Sequence, residues 1–172
     1  LSKTFLMIFK FLSKNFYISF SIVALIYFLD RLSKIYVIQL DKNNLGSDIF
    51  NSAYLNIVLI WNKGIAFGLL SFSESYLYNI VSLIILITIF ILIVMSLKSD
   101  GFKKYSLLLI VGGAVGNLHD RIFFNAVPDF IDFHVGNFHW FVFNIADIFI
   151  SLGVIFMILF EFTDNNKINE KS

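Results

Sequence analysis

The chain has no cysteine, one proline and few charged residues among its 172 residues. Without cysteine it forms no disulfide, thiolate nucleophile or cysteine-ligated zinc site, so any catalysis must come from other side chains. Charged residues make up 15% of the chain and the net charge is +1. Such a balance gives no basic surface of the kind that binds nucleic acid, and no nucleic-acid partner is expected.

Apolar residues, in contrast, are abundant: 58% of the chain is hydrophobic, against about 45–50% in soluble domains. Four apolar runs each approach the roughly 20 residues that a bilayer core requires. They predict membrane spans at about 16–38, 78–97, 105–123 and 141–161. Little chain remains for a second domain, so residues 1–172 are expected to form a single polytopic membrane domain, an all-α bundle of four transmembrane helices.

The basic residues predict the orientation of this bundle. Eight lysines flank the ends that a four-span topology places in the cytoplasm, against five basic residues on the other side. By the positive-inside rule both termini are expected in the cytoplasm, with extracytoplasmic segments at about 39–77 and 124–140. A cleaved signal peptide is the alternative for the first segment. However, that segment ends in Asp30-Arg31 without a small-residue cleavage site, which favours a retained span.

The first outer segment contains a β pattern. Residues 54–61 and 65–68 predict two short strands around the turn Asn62-Lys63-Gly64, forming a small outer platform. The second outer segment joins the third and fourth spans and carries Pro128, the only proline.

Polar residues recur near the outer ends of the last two spans, although an Asp or Arg costs roughly 2.5–3.5 kcal/mol at the centre of an inserted helix. They are spaced three or four residues apart on one face of each helix: Asn117, Asp120 and Arg121, and Asn144, Asp147 and Ser151. The two spans are antiparallel, so the two polar stripes should meet at one depth. Gly112 and Gly116 add a small-xxx-small face that lets a neighbouring helix approach closely.

Asp147 has no basic residue within a helical turn, which argues against a simple ion pair. Two buried carboxylates close together share one proton, and that state is the working form of an aspartic protease pair. Three candidates for the partner remain open: Asp120, Asp129 and Asp132. Asp120 is expected to pair with Arg121 or Lys34, and Asp30 to form a similar ion pair. Pro128 restrains the backbone beside Asp129, which slightly favours Asp129.

Other chemistries find less support in the sequence. His119 lies in the third span, and His134 and His139 lie five apart in a predicted loop, matching no common metal-ligand arrangement, so no metal or cofactor is expected. No nucleophile-elbow pattern surrounds Ser151 or any other serine. A different class remains open: a small transporter or channel subunit using intramembrane aspartates as proton or ion sites. Such a protein should carry them nearer the middle of the bilayer.

Five ordered blocks then resemble a known family, lipoprotein signal peptidase (signal peptidase II). The blocks are D-R-L-S-K at 30–34, N-K-G-I-A-F-G at 62–68, G-G-A-V-G-N-L-H-D-R at 112–121, V-P-D-F-I-D-F-H at 127–134 and F-N-I-A-D at 143–147. The resemblance implies an aspartic endopeptidase of the bacterial inner membrane that removes the signal peptide from prolipoproteins, cutting before the diacylglyceryl cysteine. It also implies four transmembrane helices, a small extracytoplasmic β cradle and a short interfacial helix.

By the same resemblance, the catalytic pair is Asp129 and Asp147. Supporting residues that orient the pair and the substrate, or match motif positions, are Asn117, Arg121, Asn144, Asn62, Gly64, Asp30, Lys34 and Asp120. The implied partners are lipidated prolipoproteins and membrane lipid. The family acts without metal, no cofactor is expected, and the chain is expected to be a monomer with its active site towards the extracytoplasmic face.

Overall fold

A computed structural model describes residues 3–43, 49–64 and 75–169. The elements follow in the order α1 (Lys3–Asn43), β1 (Leu55–Asn62), α2 (Ser75–Leu97), α3 (Gly101–Phe124), β2 (Val127–Val135), β3 (Phe138–Phe143) and α4 (Ile145–Asn169). Helix α3 is central, because it packs against α1, α2 and α4. The three strands form one antiparallel sheet in the order β1-β2-β3.

Three helices are long and apolar enough to cross a membrane: Tyr78–Leu97 in α2, Gly101–Phe124 in α3 and Ile145–Thr163 in α4. Helix α1 extends beyond the predicted span 16–38 at both ends. Its charged and apolar side chains lie on different sides of the helix. Its Asp30, Arg31 and Lys34 are buried, whereas Phe20 and Phe28 are exposed. A helix with charges facing protein and apolar side chains facing outward suits a lipid environment.

Glycines on α3 bring α1 close, as the sequence predicts. A Cβ atom at Gly112 would lie 2.9 Å from Cβ of Ile26, and one at Gly116 would lie 2.6 Å from Oδ2 of Asp30. Both contacts are shorter than real Cβ atoms make, so only glycine fits at this crossing. The expected close approach of a neighbouring helix is therefore confirmed, and the neighbour is α1.

Gly113 serves the contact with α4, and Gly113→Ala should lower the free energy of unfolding by about 1–3 kcal/mol. The added methyl would overlap the backbone carbonyl oxygen of Ala146 and lie 2.8 Å from Cγ1 of Ile150, so the two helices must separate. The measurement is the thermal unfolding midpoint in detergent, with Thr88→Ala on the exposed face of α2 as control. An unchanged midpoint in Gly113→Ala would contradict the packing described here.

The sheet differs in part from the sequence prediction. The predicted strand at 54–61 corresponds to β1, but β1 pairs with β2 from the second outer segment. The second predicted strand, 65–68, lies outside the described residues. No short interfacial helix occurs within the described outer segments 49–64 and 125–144, where the second segment is instead the β2–β3 hairpin turning at Gly136.

A β-bulge in β1 controls which way its asparagines point. Ile57 pairs with Ile131 and Ile60 with Asp129, so two residues of β1 oppose one residue of β2 between them. Such a bulge shifts the alternation of side chains between the two faces of a strand. Asn56 consequently contacts Asp132, whereas Asn62 contacts Asp129.

The predicted start of the fourth span at residue 141 was wrong. Residues 138–143 form β3, and α4 begins only at Ile145. A short apolar run is compatible with either a strand or a helix, and here pairing with β2 decides in favour of the strand. Asp147 therefore lies in the first turn of α4 rather than six residues into a helix.

Candidate active site

Asp147 is fixed by the way α4 begins. The side chain of Asn144 accepts a hydrogen bond from the backbone N–H of Asp147, and Oδ2 of Asp147 accepts one from the backbone N–H of Asn144, both at 3.1 Å. This reciprocal pair is a capping box, which satisfies two N–H groups that a helix N-terminus otherwise leaves unpaired. Nδ2 of Asn117 donates to the other carboxylate oxygen, Oδ1, at 2.8 Å. The buried carboxylate of Asp147 thus has a defined orientation.

Asp129 is held on β2 by two asparagines. Nδ2 of Asn144 donates to Oδ1 of Asp129 at 2.6 Å, and Nδ2 of Asn62 donates to Oδ2 at 2.8 Å. Asn144 therefore donates to both carboxylates, to Asp129 through its side chain and to Asp147 through its backbone N–H. Of the three partners that the sequence left open for Asp147, Asp129 is the one joined to it in this way.

A tight turn after β1 orients Asn62. The backbone N–H of Gly64 donates to Oδ1 of Asn62 at 2.8 Å, which leaves the NH₂ group of Asn62 to face Asp129. The carbonyl oxygen of Gly64 accepts a hydrogen bond from Nη2 of Arg121 at 3.2 Å, and Nη1 of Arg121 donates to the carbonyl of Asn117. The Asn-x-Gly block thereby connects the sheet to α3.

These polar residues line a cavity of about 520 Å³ whose other walls are apolar. Asn62, Asn117, Arg121, Asp129 and Asp147 all contribute to its lining. The apolar walls come largely from α2, α3 and α4 and include Ile85, Ile89, Leu92, Ile110, Val154 and Ile155. The arrangement places two buried acidic groups at the polar end of a mainly apolar cavity.

The burial of Asp129 changes its acidity. Two causes raise the pKa of Asp129 from 3.8 to about 6: the larger is its removal from water, and the second is the nearby negative charge of Asp147. The hydrogen bonds from Asn62 and Asn144 act in the opposite direction, because they stabilise the carboxylate. Asp129 therefore keeps a proton under conditions in which an exposed aspartate has lost it.

A buried ion cluster joins α1 to α3 beside this site. Lys34 and Arg31 both bind Asp120, with Nζ of Lys34 at 2.7 Å and Nη2 of Arg31 at 2.6 Å from Oδ2. The same two cations bind Asp30 at 2.9 Å, so two positive charges balance two negative ones. Sequence reasoning missed Arg31 as a member; its position next to Asp30 within an apolar span was the available signal.

The expected pairing of Asp120 with Lys34 is confirmed, but the pairing with Arg121 was wrong. Consecutive residues of a helix point about 100° apart and do not share a face. Asp120 accordingly faces α1, while Arg121 lines the cavity and reaches Gly64.

The ion cluster also orients the groups around Asp147. Nζ of Lys34 donates to Oδ1 of Asn117 at 2.9 Å, so the NH₂ group of Asn117 faces Asp147. Oδ1 of Asp30 accepts a hydrogen bond at 3.1 Å from the backbone N–H of Ala146, in the first turn of α4. The supporting residues suggested by the sequence thus form one connected network with the two carboxylates.

The third candidate partner, Asp132, belongs to another group. It binds Nδ1 of His139 at 2.8 Å and lies near Nδ2 of Asn56. The expectation that His134 and His139 lie in a loop was wrong, because they face each other across the β2–β3 hairpin. His119 belongs to neither group: its Nδ1 atom lies 3.0 Å from the hydroxyl oxygen of Tyr27 on α1.

Three apolar spanning helices, a small sheet and two buried carboxylates in an apolar cavity define a multi-pass membrane protein with a two-carboxylate site. Residues 22–163 match the family model described as Signal peptidase (SPase) II. The chain belongs to the signal peptidase II family.

Relatives and solved structures agree with this assignment. The lipoprotein signal peptidase of Pelagibacter ubique (strain HTCC1062) is 49% identical over 92% of this chain and 96% of its own length. That of Anaplasma phagocytophilum (strain HZ) is 40% identical over 82% of this chain and 89% of its own. A solved structure described as a bacterial membrane enzyme at 2.3 Å resolution superposes with a TM-score of 0.71 at 28% identity, covering 87% of this chain and 90% of that one.

Proposed function

We propose that this chain removes the signal peptide from bacterial prolipoproteins as an aspartic endopeptidase, with Asp129 and Asp147 as the catalytic pair. The reaction follows from the family, whose named relatives are lipoprotein signal peptidases. The observation that supports this pair is the double contact of Asn144 with both carboxylates, within one apolar cavity. The transporter or channel alternative finds no support in these comparisons.

The two aspartates have different surroundings, which suggests different roles. Asp147 lies at the N-terminus of α4 and accepts a backbone and a side-chain hydrogen bond, and both features stabilise a negative charge. We therefore assign the shared proton to Asp129, which has a raised pKa and lies on a strand rather than at a helix N-terminus. Asp147 then takes a proton from water as the water oxygen attacks the scissile carbonyl, while Asp129 donates its proton to the carbonyl oxygen. As the intermediate collapses, the C–N bond breaks, Asp147 gives the proton that it took from water to the leaving nitrogen, and Asp129 takes back the hydroxyl proton as the carbonyl re-forms.

The remaining polar residues would orient the pair and the substrate. Asn62, Asn117 and Asn144 donate to the carboxylates, with Gly64 and Lys34 fixing the amide orientations of Asn62 and Asn117. Arg121 lines the cavity, where its guanidinium would also bind a backbone carbonyl of the substrate. The reaction in this form uses water and two carboxyl groups, and no cofactor.

The cavity suits a lipidated membrane substrate. Its apolar walls between α2, α3 and α4 would accept the apolar segment of a signal peptide or the acyl chains of a diacylglyceryl cysteine. We propose lipidated prolipoproteins and membrane lipid as the partners, with the chain acting as a monomer. A single chain already supplies both carboxylates and all their described hydrogen-bond donors.

We propose that α1 is a fourth span beside α2, α3 and α4. Its 41 residues measure about 60 Å at 1.5 Å per residue, well beyond the roughly 30 Å of a bilayer core. The distribution of basic residues favours cytoplasmic termini in the bacterial inner membrane. The sheet, Asp129 and the first turn of α4 would then lie towards the extracytoplasmic face, where a lipidated substrate carries its cleavage site.

The test is cleavage of a lipidated prolipoprotein by the purified chain, followed by gel shift over a range of pH. If the pair works with one shared proton, kcat/KM should fall as pH rises through about 6, because Asp129 then loses its proton. Asn62→Ala removes a donor that stabilises the Asp129 carboxylate, so the pKa of Asp129 rises and the alkaline limb should move to higher pH.

Asn56→Ala is the matched control for this pH profile. Asn56 is the same residue type on the same strand, but it contacts Asp132 on the other side of the β-bulge. The alkaline limb should stay in place in this variant. A profile that is flat through this region, or a limb that moves equally in both variants, would contradict the proposed roles, and failure to cleave at any pH would remove the proposed function itself.

A further inference from the structure

A second cluster of titratable side chains lies on the β2–β3 hairpin, outside the candidate active site. Asp132 and His134 are two residues apart on β2 and therefore point to the same face of the sheet. His139 on β3 is the direct cross-strand partner of His134, with ring centroids 4.9 Å apart and planes inclined by 18°. Asp129 has different partners, Asn62 and Asn144, so the two groups are separate.

The donor atoms of these three residues converge. One carboxylate oxygen of Asp132 and one ring nitrogen of each histidine all lie within 4.8 Å of one another. The shortest contact, between Nδ1 of His139 and Oδ2 of Asp132, is 2.8 Å. This contact alone could be an ordinary hydrogen bond, but it leaves His134 unexplained.

His134 is buried, with 8% of its surface exposed, and its Nδ1 atom has no hydrogen-bond partner within residues 3–43, 49–64 and 75–169. An unpaired buried polar atom costs about 1–3 kcal/mol, so such atoms usually have a partner. A bound cation would supply one, since a neutral ring nitrogen is a good metal ligand.

We propose that Asp132, His134 and His139 bind a divalent transition metal ion, with Zn²⁺ the best match to two imidazoles and one carboxylate. Tetrahedral donors at about 2.0–2.2 Å from zinc lie roughly 3.4 Å apart. Small side-chain rotations would bring the three donors, which now lie within 4.8 Å of one another, to this spacing. Water would complete the fourth position. The half-exposed side chain of His139 gives the ion a route from the aqueous side.

Asn56 supports the same assignment from β1. Its Nδ2 atom lies 3.4 Å from Oδ2 of Asp132, which is the usual arrangement of an outer residue that orients a ligating carboxylate. A metal bound in this way would join β2 to β3 directly, beside the strand that carries Asp129. Its role would be to hold the hairpin rather than to activate water for peptide cleavage.

The experiment uses the full chain in detergent, purified without a histidine tag and treated with chelator. Calorimetric titration with Zn²⁺ should show one ion per chain, and Co²⁺ should give the visible absorption of a four-coordinate site. His139→Gln and Asp132→Asn should each weaken Zn²⁺ binding at least tenfold, and Asn56→Ala by about 10-fold through loss of the outer contact. His139 is half exposed, so its replacement should leave the fold intact.

His119→Gln is the control, because His119 lies on α3 and contacts Tyr27 rather than this cluster. The His119→Gln variant should bind Zn²⁺ with the affinity of the wild-type chain. Absence of stoichiometric binding would overturn the proposal, as would wild-type affinity in His139→Gln and Asp132→Asn. Because metal binding is measured directly, these outcomes are independent of whether the chain cleaves prolipoproteins.

Discussion

Asp129→Asn and Asp147→Asn should each lower kcat/KM for a lipidated prolipoprotein by about 10²–10⁴-fold, the contribution usual for general acid–base groups. Asn has nearly the same shape as Asp but carries neither the proton nor the negative charge that the mechanism requires. Both residues are buried and held by hydrogen bonds that an amide can partly replace, so each variant should remain folded. The measurements are cleavage rate by gel shift and unfolding midpoint in the same detergent.

Asp132→Asn is the matched control for this pair of variants. It makes the same chemical change on the same strand as Asp129, at a residue that the sequence also offered as a partner for Asp147. Its cleavage rate should equal that of the wild-type chain measured in the same chelator-containing buffer. Normal cleavage by Asp129→Asn or Asp147→Asn would refute the catalytic pair, and equal loss in Asp132→Asn would show that the assay does not distinguish the two carboxylates.

The largest effect on stability is expected from the ion cluster of Asp30, Arg31, Lys34 and Asp120. Asp120→Asn removes one of two negative charges and leaves Arg31 and Lys34 facing Asp30 alone. Removing one member of a buried ion pair destabilises proteins by about 3–5 kcal/mol, because the remaining charge has no water to replace its partner. Denaturant or thermal unfolding in detergent measures the loss.

Glu161→Ala provides the comparison for Asp120→Asn. Glu161 pairs with Lys103 at 3.1 Å, but both side chains are partly exposed, at 55% and 35%. Exposed ion pairs contribute about 0–1 kcal/mol, so this variant should unfold close to the wild-type temperature. Similar losses in the two variants would mean that the Asp120 cluster is not the strong contact between α1 and α3 described here.

Hydropathy predicted the helices whose surfaces are mostly apolar. Most of the surface of α2 is apolar and exposed, so composition alone locates it. Helix α1 is less apolar on average because Asp30, Arg31 and Lys34 are counted together with its outward aromatics. Only a structure shows that these charges are buried against α3 while Phe20 and Phe28 point outward.

The boundary between β3 and α4 could not be predicted from apolar periodicity, since residues 141–143 suit either element. The signal that was available is the N-x-x-D spacing of Asn144 and Asp147, which is a capping-box pattern and marks a helix start. The β-bulge in β1 gave no comparable signal. It determines that Asn62, and not Asn56, contacts Asp129, and it depends on pairing with a strand over sixty residues later in the chain.

The candidate site itself was predictable in its members but not in its connections. The motif resemblance supplied Asn62, Asn117 and Asn144, which are the residues of the described part of the chain that hydrogen-bond to the two carboxylates. Spacing alone left three partners for Asp147. The pairing of Asp120 was misassigned to Arg121 because sequence adjacency was taken as contact. In a helix, the residues that meet are those that share a face with another element, as Asp120 does with Lys34 and Arg31.

The capping box at the start of α4 has a consequence for inhibitors of this proposed protease. The hydrogen bonds that hold Asp147 in place are also the ones that begin the helix, so a compound bound to Asp147 and Asn144 contacts groups whose replacement weakens the start of α4 and disturbs the proposed catalytic pair. Resistance would then have to arise elsewhere in the cavity. The apolar wall residues, such as Ile85 and Val154, are the positions where a change in shape could displace a compound without weakening the start of α4.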